Sequence, residues 1–370
     1  MSARSGAGDD VRPLWRPRLR ALALALALAV AVPAPAIAAT PPANNDDMMA
    51  APPVAAPRPG YHADVLAHDP VMIREGDTWY LFITGPGVSV YSSKDLRTWK
   101  AEPPVFAKIP AWAYEIVPDF NGHIWAPDIS YHDGTYHLYY SISTGGKNTS
   151  AIGVATSRTL DPSSAGFGWT DHGIVLRSVP HRDLWNAIDP NLVEDEAGQP
   201  WLAFGSFWGG LKLARLAPGR LRLAEPQEWH TLAKRERSVL VDDASPEPGA
   251  IEAPFVFRKD GWHYLFVSFD HCCRGAKSDY RIMVGRSRTL QGPYLDREGR
   301  RMDQGGGSEV LRGTARWPGP RHNSAYTFDG KDCLVFHAYD VEDAGRPKLK
   351  VLPMAWDAEG WPQVDASALR

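Results

Sequence analysis

The chain has 370 residues, 40 Lys and Arg against 43 Asp and Glu, and a formal net charge of −3. That balance provides no basic field for nucleic acid, and three cysteines are too few for a disulfide framework. Its 14 Trp suit a β core and a sugar-stacking cleft equally, so the count does not separate the two.

Arg12, Arg16, Arg18 and Arg20 precede an apolar run from Ala21 to Val32, and Ala36-Ile37-Ala38 follows as a small-residue cleavage signal. The run is too short to cross a bilayer. A cleavable signal peptide over 1–38 is therefore expected in preference to a membrane anchor, with export to a periplasm or to the medium. Residues 39–60 are rich in Pro, Ala and Asn and lack an apolar period, as in a disordered leader. The remaining 61–370 suffices for one large domain. Nothing in it points to membrane contact or to an obligate interface, so a monomer is expected. Among Cys272, Cys273 and Cys333, either one pair is oxidised with a thiol left over or all three are buried thiols.

Within 61–370 one pattern occurs five times. His68-Asp69-Pro70, Ala126-Pro127-Asp128, Ile188-Asp189-Pro190, Glu252-Ala253-Pro254 and His322-Asn323-Ser324 each precede an apolar strand, a polar turn and an aromatic-rich strand. The turns carry Gly76, Gly134, Gly198, Gly261 and Gly330, spaced about 60 residues apart, a period that marks a propeller. A second strand pair follows in each unit, for example AIGVATSRTLD in the second and YRIMVGRSRTL in the fourth. No long 3.6-residue period appears. The expected fold is all-β: a five-bladed β-propeller with four antiparallel strands per blade. A β-sandwich would not explain the repeat.

In such a fold the residues just before each inner strand gather at one mouth of the central channel. Asp69, Asp128, Asp189, Glu252 and His322 are expected to form a ring there. A lone Asp-Pro is usually a turn; the recurrence at one place in the repeat is what suggests chemistry. Glycoside hydrolysis needs a protonated carboxylic acid for the leaving oxygen and an ionised carboxylate opposite it. The two stand ~6.5–9.5 Å apart in inverting enzymes and ~5–5.5 Å apart in retaining ones. Glu252, between Ile251 and Ala253-Pro254-Phe255, has the apolar setting of an acid. Asp189 beside it supplies a charge that raises its pKa. Asp69 is the candidate base.

These motifs resemble glycoside hydrolase family 43, and within it the endo-α-1,5-L-arabinanases, from about Tyr61 to Trp361. The resemblance rests on HDP at 68–70, WAPD at 125–128, NAIDPNL at 186–192, GSFWGG at 205–210, IEAPFVF at 251–257, FDHCCRGAKSDYRIMVGRS at 269–287 and GPRHNS at 319–324. It implies inversion with Asp69 as general base, Glu252 as general acid and Asp189 as the residue that raises the acid's pKa and orients it. It also implies a channel cation, usually calcium, held by His322 mostly through waters. One protein ligand is few against the six to eight oxygens calcium takes. The chain departs from the pattern at Arg321, where relatives often carry Gly. Substrate contacts are expected from Asn186 and Ser206 by hydrogen bonding, from Trp125, Phe207 and Trp208 by stacking, from Asp128 as an acceptor, and from Asp69, Asp189 and Glu252 themselves. The segment 110–121, with Trp112, Tyr114 and Phe120, reads as a loop on the same face.

The implied substrate is arabinan, as polymer and oligosaccharides. The alternatives are an exo-acting arabinanase, arabinofuranosidase or xylosidase of the same family, a retaining fructan-processing propeller, which the WAPD, NAIDP and IEAP motifs fit poorly, and a sugar-binding propeller without catalysis.

Overall fold

Each sequence unit folds into an antiparallel sheet, and the five sheets are the blades of a five-bladed β-propeller. The computed structural model describes residues 61–62 and 64–369, so the expected signal peptide and leader lie outside the described residues. The inner strands are Val71–Glu75, His123–His132, Asn191–Glu194, Ile251–Lys259 and Arg321–Phe328. Each pairs with the next strand in sequence through a tight turn. Gly76, Gly134, Gly198, Gly261 and Gly330 sit at those turns with φ between 61° and 76°, a left-handed conformation that a β-carbon disfavours.

The second strands show why the repeat packs. Leu81, Leu138, Leu202, Leu265 and Leu334 stand at the same place in the five blades, and all are fully buried. Each joins an apolar layer between neighbouring blades. Leu202 and Phe204, for example, pack with Tyr139 and Val154 of the preceding blade, and Leu265 packs with Trp201 and Leu213. Cutting one such Leu to Ala costs about 2–5 kcal/mol.

Four strands per blade is not uniform. Blade one gains Tyr61–His62 on its outer edge, and blade two gains Gly85–Pro86 alongside its inner strand. Among the described residues blade five has three strands: Arg321–Phe328, Lys331–Asp340 and Arg346–Pro353. The segment expected to finish it turns away, and Ala355–Trp356 pairs with Pro362–Gln363 as a separate hairpin. The open edge is covered from the other end of the domain. Leu66 bridges Lys348, Ala67 N–H donates to Pro347 O at 3.2 Å, and Leu349 N–H donates to Val65 O at 3.0 Å. The ring thus closes through residues 65–67, which protects a strand edge that would otherwise be unpaired.

Every inner strand is preceded or interrupted by a bulge. Trp125 faces Ser141 and Asp128 faces Tyr139, so three steps on one strand oppose two on the other. The same slip separates Glu252 from Phe255 and Arg321 from Ser324. At each bulge one residue is left-handed: Asp69 (φ 52°), Ala126 (41°), Asp189 (59°), Ala253 (57°) and His322 (46°). Non-glycine residues rarely adopt such angles, and neighbouring structure must hold them there. In four bulges a proline follows directly, fixing φ and removing a donor that the broken ladder would leave unpaired.

Candidate active site

The bulges decide which side chains meet at the channel mouth. The backbone N–H of four of the five left-handed residues donates across a blade junction to the end of the preceding blade's second strand. Ala126 N–H reaches Thr84 Oγ1 (2.8 Å), Asp189 N–H reaches Ser141 Oγ (3.1 Å), His322 N–H reaches Ser268 Oγ (2.9 Å) and Asp69 N–H reaches His337 Nδ1 (3.0 Å). At the fifth junction the corresponding residue is Gly205, which has no side chain. There Asp189 Oδ2 accepts the Ala253 N–H instead, at 3.1 Å.

This phasing corrects the expected ring. The in-phase residues are Asp69, Ala126, Asp189, Ala253 and His322. Glu252 lies one position earlier, in line with His68, Trp125, Ile188 and Arg321, and those five side chains all line one cavity of about 290 Å³. Asp69 and Asp189 line it too, as do Asn186, Ser206, Phe207 and Trp208. Asp128 lies two positions later and is not among the lining residues. Its carboxylate accepts from Asn191 Nδ2 (3.2 Å) and from Leu192 N–H (2.7 Å), tying two blades together, and burial pushes its pKa up to about 7. The structure therefore places Asp128 at a blade junction, outside the cavity lining.

Asp69 is 4 % exposed, and its carboxylate is surrounded by donors. Thr84 Oγ1 donates to Oδ2 at 2.6 Å, His68 Nδ1 lies 2.8 Å from the same oxygen, and Arg321 Nη2 stands 3.3 Å from Oδ1. Burial opposes the charged form, but His68, His322 and Arg321 outweigh it and hold the pKa well below the usual carboxylate range. Of these three only Arg321 is charged at every pH. Asp189 goes the other way: burial, then repulsion from Glu252 and Asp69, raises its pKa well above the ordinary value.

Glu252 is 6 % exposed. Ser206 Oγ donates to Oε2 at 3.1 Å, and the two residues also form a backbone bridge. Its Oε1 is 2.8 Å from Arg321 Nη2, close enough for an ion pair, although the angle is not that of an aligned hydrogen bond. The same Arg321 nitrogen touches Asp69, so the two oxygens are no farther apart than these two contacts laid end to end. One carboxyl with its pKa lowered, a second on the wall of the same cavity and a third with its pKa raised are the kinds of groups that glycosidic cleavage uses.

A model for glycosyl hydrolases family 43 matches residues 63–362. The chain belongs to that family. An extracellular exo-α-(1→5)-L-arabinofuranosidase of Cellvibrio japonicus is 57 % identical over 302 residues, covering 82 % of this chain and 87 % of its own. An extracellular endo-α-(1→5)-L-arabinanase of Bacillus subtilis is 42 % identical over 301 residues, covering 80 % of this chain and 87 % of its own. The structure of a Cellvibrio cellulosa α-L-arabinanase complexed with arabinohexaose superposes with a TM-score of 0.82 at 57 % identity, covering 83 % of this chain and 97 % of that one. Family 43 membership and the propeller both stand as expected.

Several wall residues were not singled out from the sequence. Thr84, Asn121, His123, His271 and the pair Cys272–Cys273 all reach the cavity. Thr84 had a signal: it ends the second strand of its unit as Ser141 and Ser268 end theirs. The segment 110–121 contributes only Asn121. Ala111–Ile116 is a short helix whose Trp112 packs on Tyr140 (ring centroids 6.0 Å apart) and donates to Asp171 at 3.1 Å, and Phe120 is buried. The cysteine alternatives resolve as a Cys272–Cys273 disulfide with Cys333 free.

His322, the expected cation ligand, is 7 % exposed. Burial and the Arg321 charge push its pKa down to about 4 against the pull of Asp69, so the ring is neutral near pH 7. Its Nδ1 lies 3.2 Å from Asp69 Oδ1 without hydrogen-bond geometry and has no other partner among the described residues. A neutral, buried, unpartnered ring nitrogen fits one coordination position of a cation whose other ligands are waters. His68, Asp69 and His337 also cluster, but His68 is bonded to Asp69 and His337 Nδ1 to the Asp69 backbone.

Proposed function

We propose that the protein hydrolyses the α-1,5-L-arabinofuranosidic bonds of arabinan and arabino-oligosaccharides with inversion. The observation that carries hydrolysis is the shared contact of Arg321 Nη2 with Asp69 and Glu252, which sets two differently environed carboxyl groups against one cavity. Inversion rests on the family resemblance, because the two oxygens bridged by Arg321 stand closer than the ~6.5–9.5 Å of inverting pairs.

Asp69, held ionised, takes a proton from water as that water attacks the anomeric carbon. Glu252 gives a proton to the departing oxygen. Burial, then repulsion from Glu252 and Asp69, raises the pKa of Asp189 and favours a proton beside Glu252. Ser206 orients Glu252 through the 3.1 Å bond, and Asp189 is itself fixed by Ala253 N–H. Asn186, Trp125, Phe207 and Trp208 supply the walls for the sugars. A calcium ion held by His322 and waters would add positive charge beside Asp69 and further favour its ionised form.

The cleavage mode expected from sequence motifs was endo. The 57 % identity to a protein named exo-acting, against 42 % to one named endo-acting, favours exo attack, with endo as the second reading. Both relatives are named extracellular, which supports export of this chain. Digestion of linear arabinan with product sizing tests substrate and mode together. One small product from the start means exo, and a ladder of oligomers means endo. Intact polymer would refute the reading, and a first-formed product with retained anomeric configuration would refute inversion.

A further inference from the structure

Cys272 and Cys273 are adjacent in sequence and joined to each other, and both line the catalytic cavity. Cys273 is pinned on several sides. Its backbone is left-handed (φ 64°), and its N–H donates to Tyr339 Oη at 3.0 Å. Its Sγ accepts from Arg321 Nη1 at 3.1 Å. The other terminal nitrogen of Arg321 reaches Glu252 (2.8 Å) and Asp69 (3.3 Å). The guanidinium lies against Tyr280, with Cζ 4.8 Å from the ring centroid, and is almost fully buried. A guanidinium is a rigid planar fork, so fixing one terminal nitrogen fixes the other.

We propose that the Cys272–Cys273 disulfide is a positioning element for hydrolysis: by holding Arg321 through Cys273 Sγ, it sets the spacing of Asp69 and Glu252. The idea rests on the reading of those two residues as base and acid. A disulfide sulfur is a neutral, weak acceptor. It orients the guanidinium without competing for its charge, which stays with the two carboxylates. Reduction removes both properties. The S–S bond breaks, each sulfur gains one electron and one proton, and Cys273 becomes free to turn. A thiol beside a permanent cation also favours the thiolate, and a thiolate draws Arg321 off the carboxylates.

The test uses the folded protein treated with a water-soluble phosphine. The phosphine supplies the two electrons and leaves as its oxide, with the oxygen and both protons coming from water. Thiol titration should rise from one group, Cys333, to three. On linear arabinan, reduction should lower kcat about ten- to hundredfold, the scale of a small misplacement of catalytic groups, and leave KM within about threefold. Reoxidation should restore it. Cys333→Ser should respond to the phosphine as the parent does. In Arg321→Lys, kcat starts low and reduction should lower it by less than about twofold more, because groups that act through one another are not additive. Unchanged kcat on full reduction overturns the proposal, as does equal loss in parent and Arg321→Lys. If Arg321→Lys does not fold, the reduction series on the parent decides alone. An oxidised protein inert towards arabinan refutes the functional reading and the proposal with it, whereas an active protein indifferent to reduction refutes the proposal alone.

Discussion

Asp189 Oδ2 accepts the backbone N–H of Ala253, the residue next to Glu252, at 3.1 Å. At the other four junctions a Thr, Ser or His from the preceding blade accepts the equivalent N–H. Gly205 leaves this one open, and the carboxyl that fills it belongs to the catalytic cluster. The same contact therefore holds blades three and four together and sets Asp189 towards Glu252.

Asp189 should show two separable losses on substitution. Asp189→Asn keeps an acceptor oxygen for Ala253 N–H but cannot ionise or share a proton, so kcat should fall with little change in Tm. Asp189→Ala leaves that N–H buried and unpaired, which costs about 1–3 kcal/mol of stability in addition. Thermal unfolding beside arabinan turnover distinguishes them. Equal Tm values for the two variants would deny the N–H contact its structural weight.

Glu252→Ala should lower turnover on arabinan by ~10²–10⁴, the usual contribution of a general acid. An aryl arabinofuranoside with a good leaving group needs less protonation, and its turnover should fall less. Equal loss on both substrates would move the acid role elsewhere. Asp69→Ala should abolish turnover on both, because every substrate needs the attacking water.

Asp128 gives a pH dependence separate from catalysis. Its folded pKa of about 7 stands above the ordinary 3.8, so the folded state prefers the protonated form. The stability tied to that proton is fully present below the unfolded pKa and is lost as pH rises through about 7. Asp128→Asn has no such dependence. The Tm of the variant minus that of the parent should therefore increase from pH 4 to pH 7. A flat difference would show that Asp128 is ionised throughout.

Removal of divalent cations by a chelator should lower kcat, and added calcium should restore it. His322→Ala should have lower activity and no response to either treatment. A parent enzyme whose activity and Tm ignore the chelator would refute the cation. The chelator must be tested near neutral pH, where His322 is uncharged and able to bind a metal.

The repeat was legible because it is local. A left-handed glycine at each hairpin turn and a Leu at one place in each second strand recur in the string as they do in space. Asp69, Asp189 and Glu252 were found because their motifs stand beside that pattern. Asp128 was misplaced for the same reason. Asp69 and Asp189 precede Pro70 and Pro190, whereas Asp128 follows Pro127, and that two-residue offset carries its side chain to Asn191 and Leu192.

The order of apolar strands, turns and Pro-bearing motifs determined the fold class, the five blades and the three central carboxyl residues, since each depends on neighbours within one unit. Tertiary structure alone decided the rest. It set residues 65–67 against 347–349 to close the ring, and it brought Cys273, Arg321, Asp69 and Glu252 together. Those contacts join residues from different blades, and backbone bulges, whose angles no residue type specifies on its own, set the direction of the site residues.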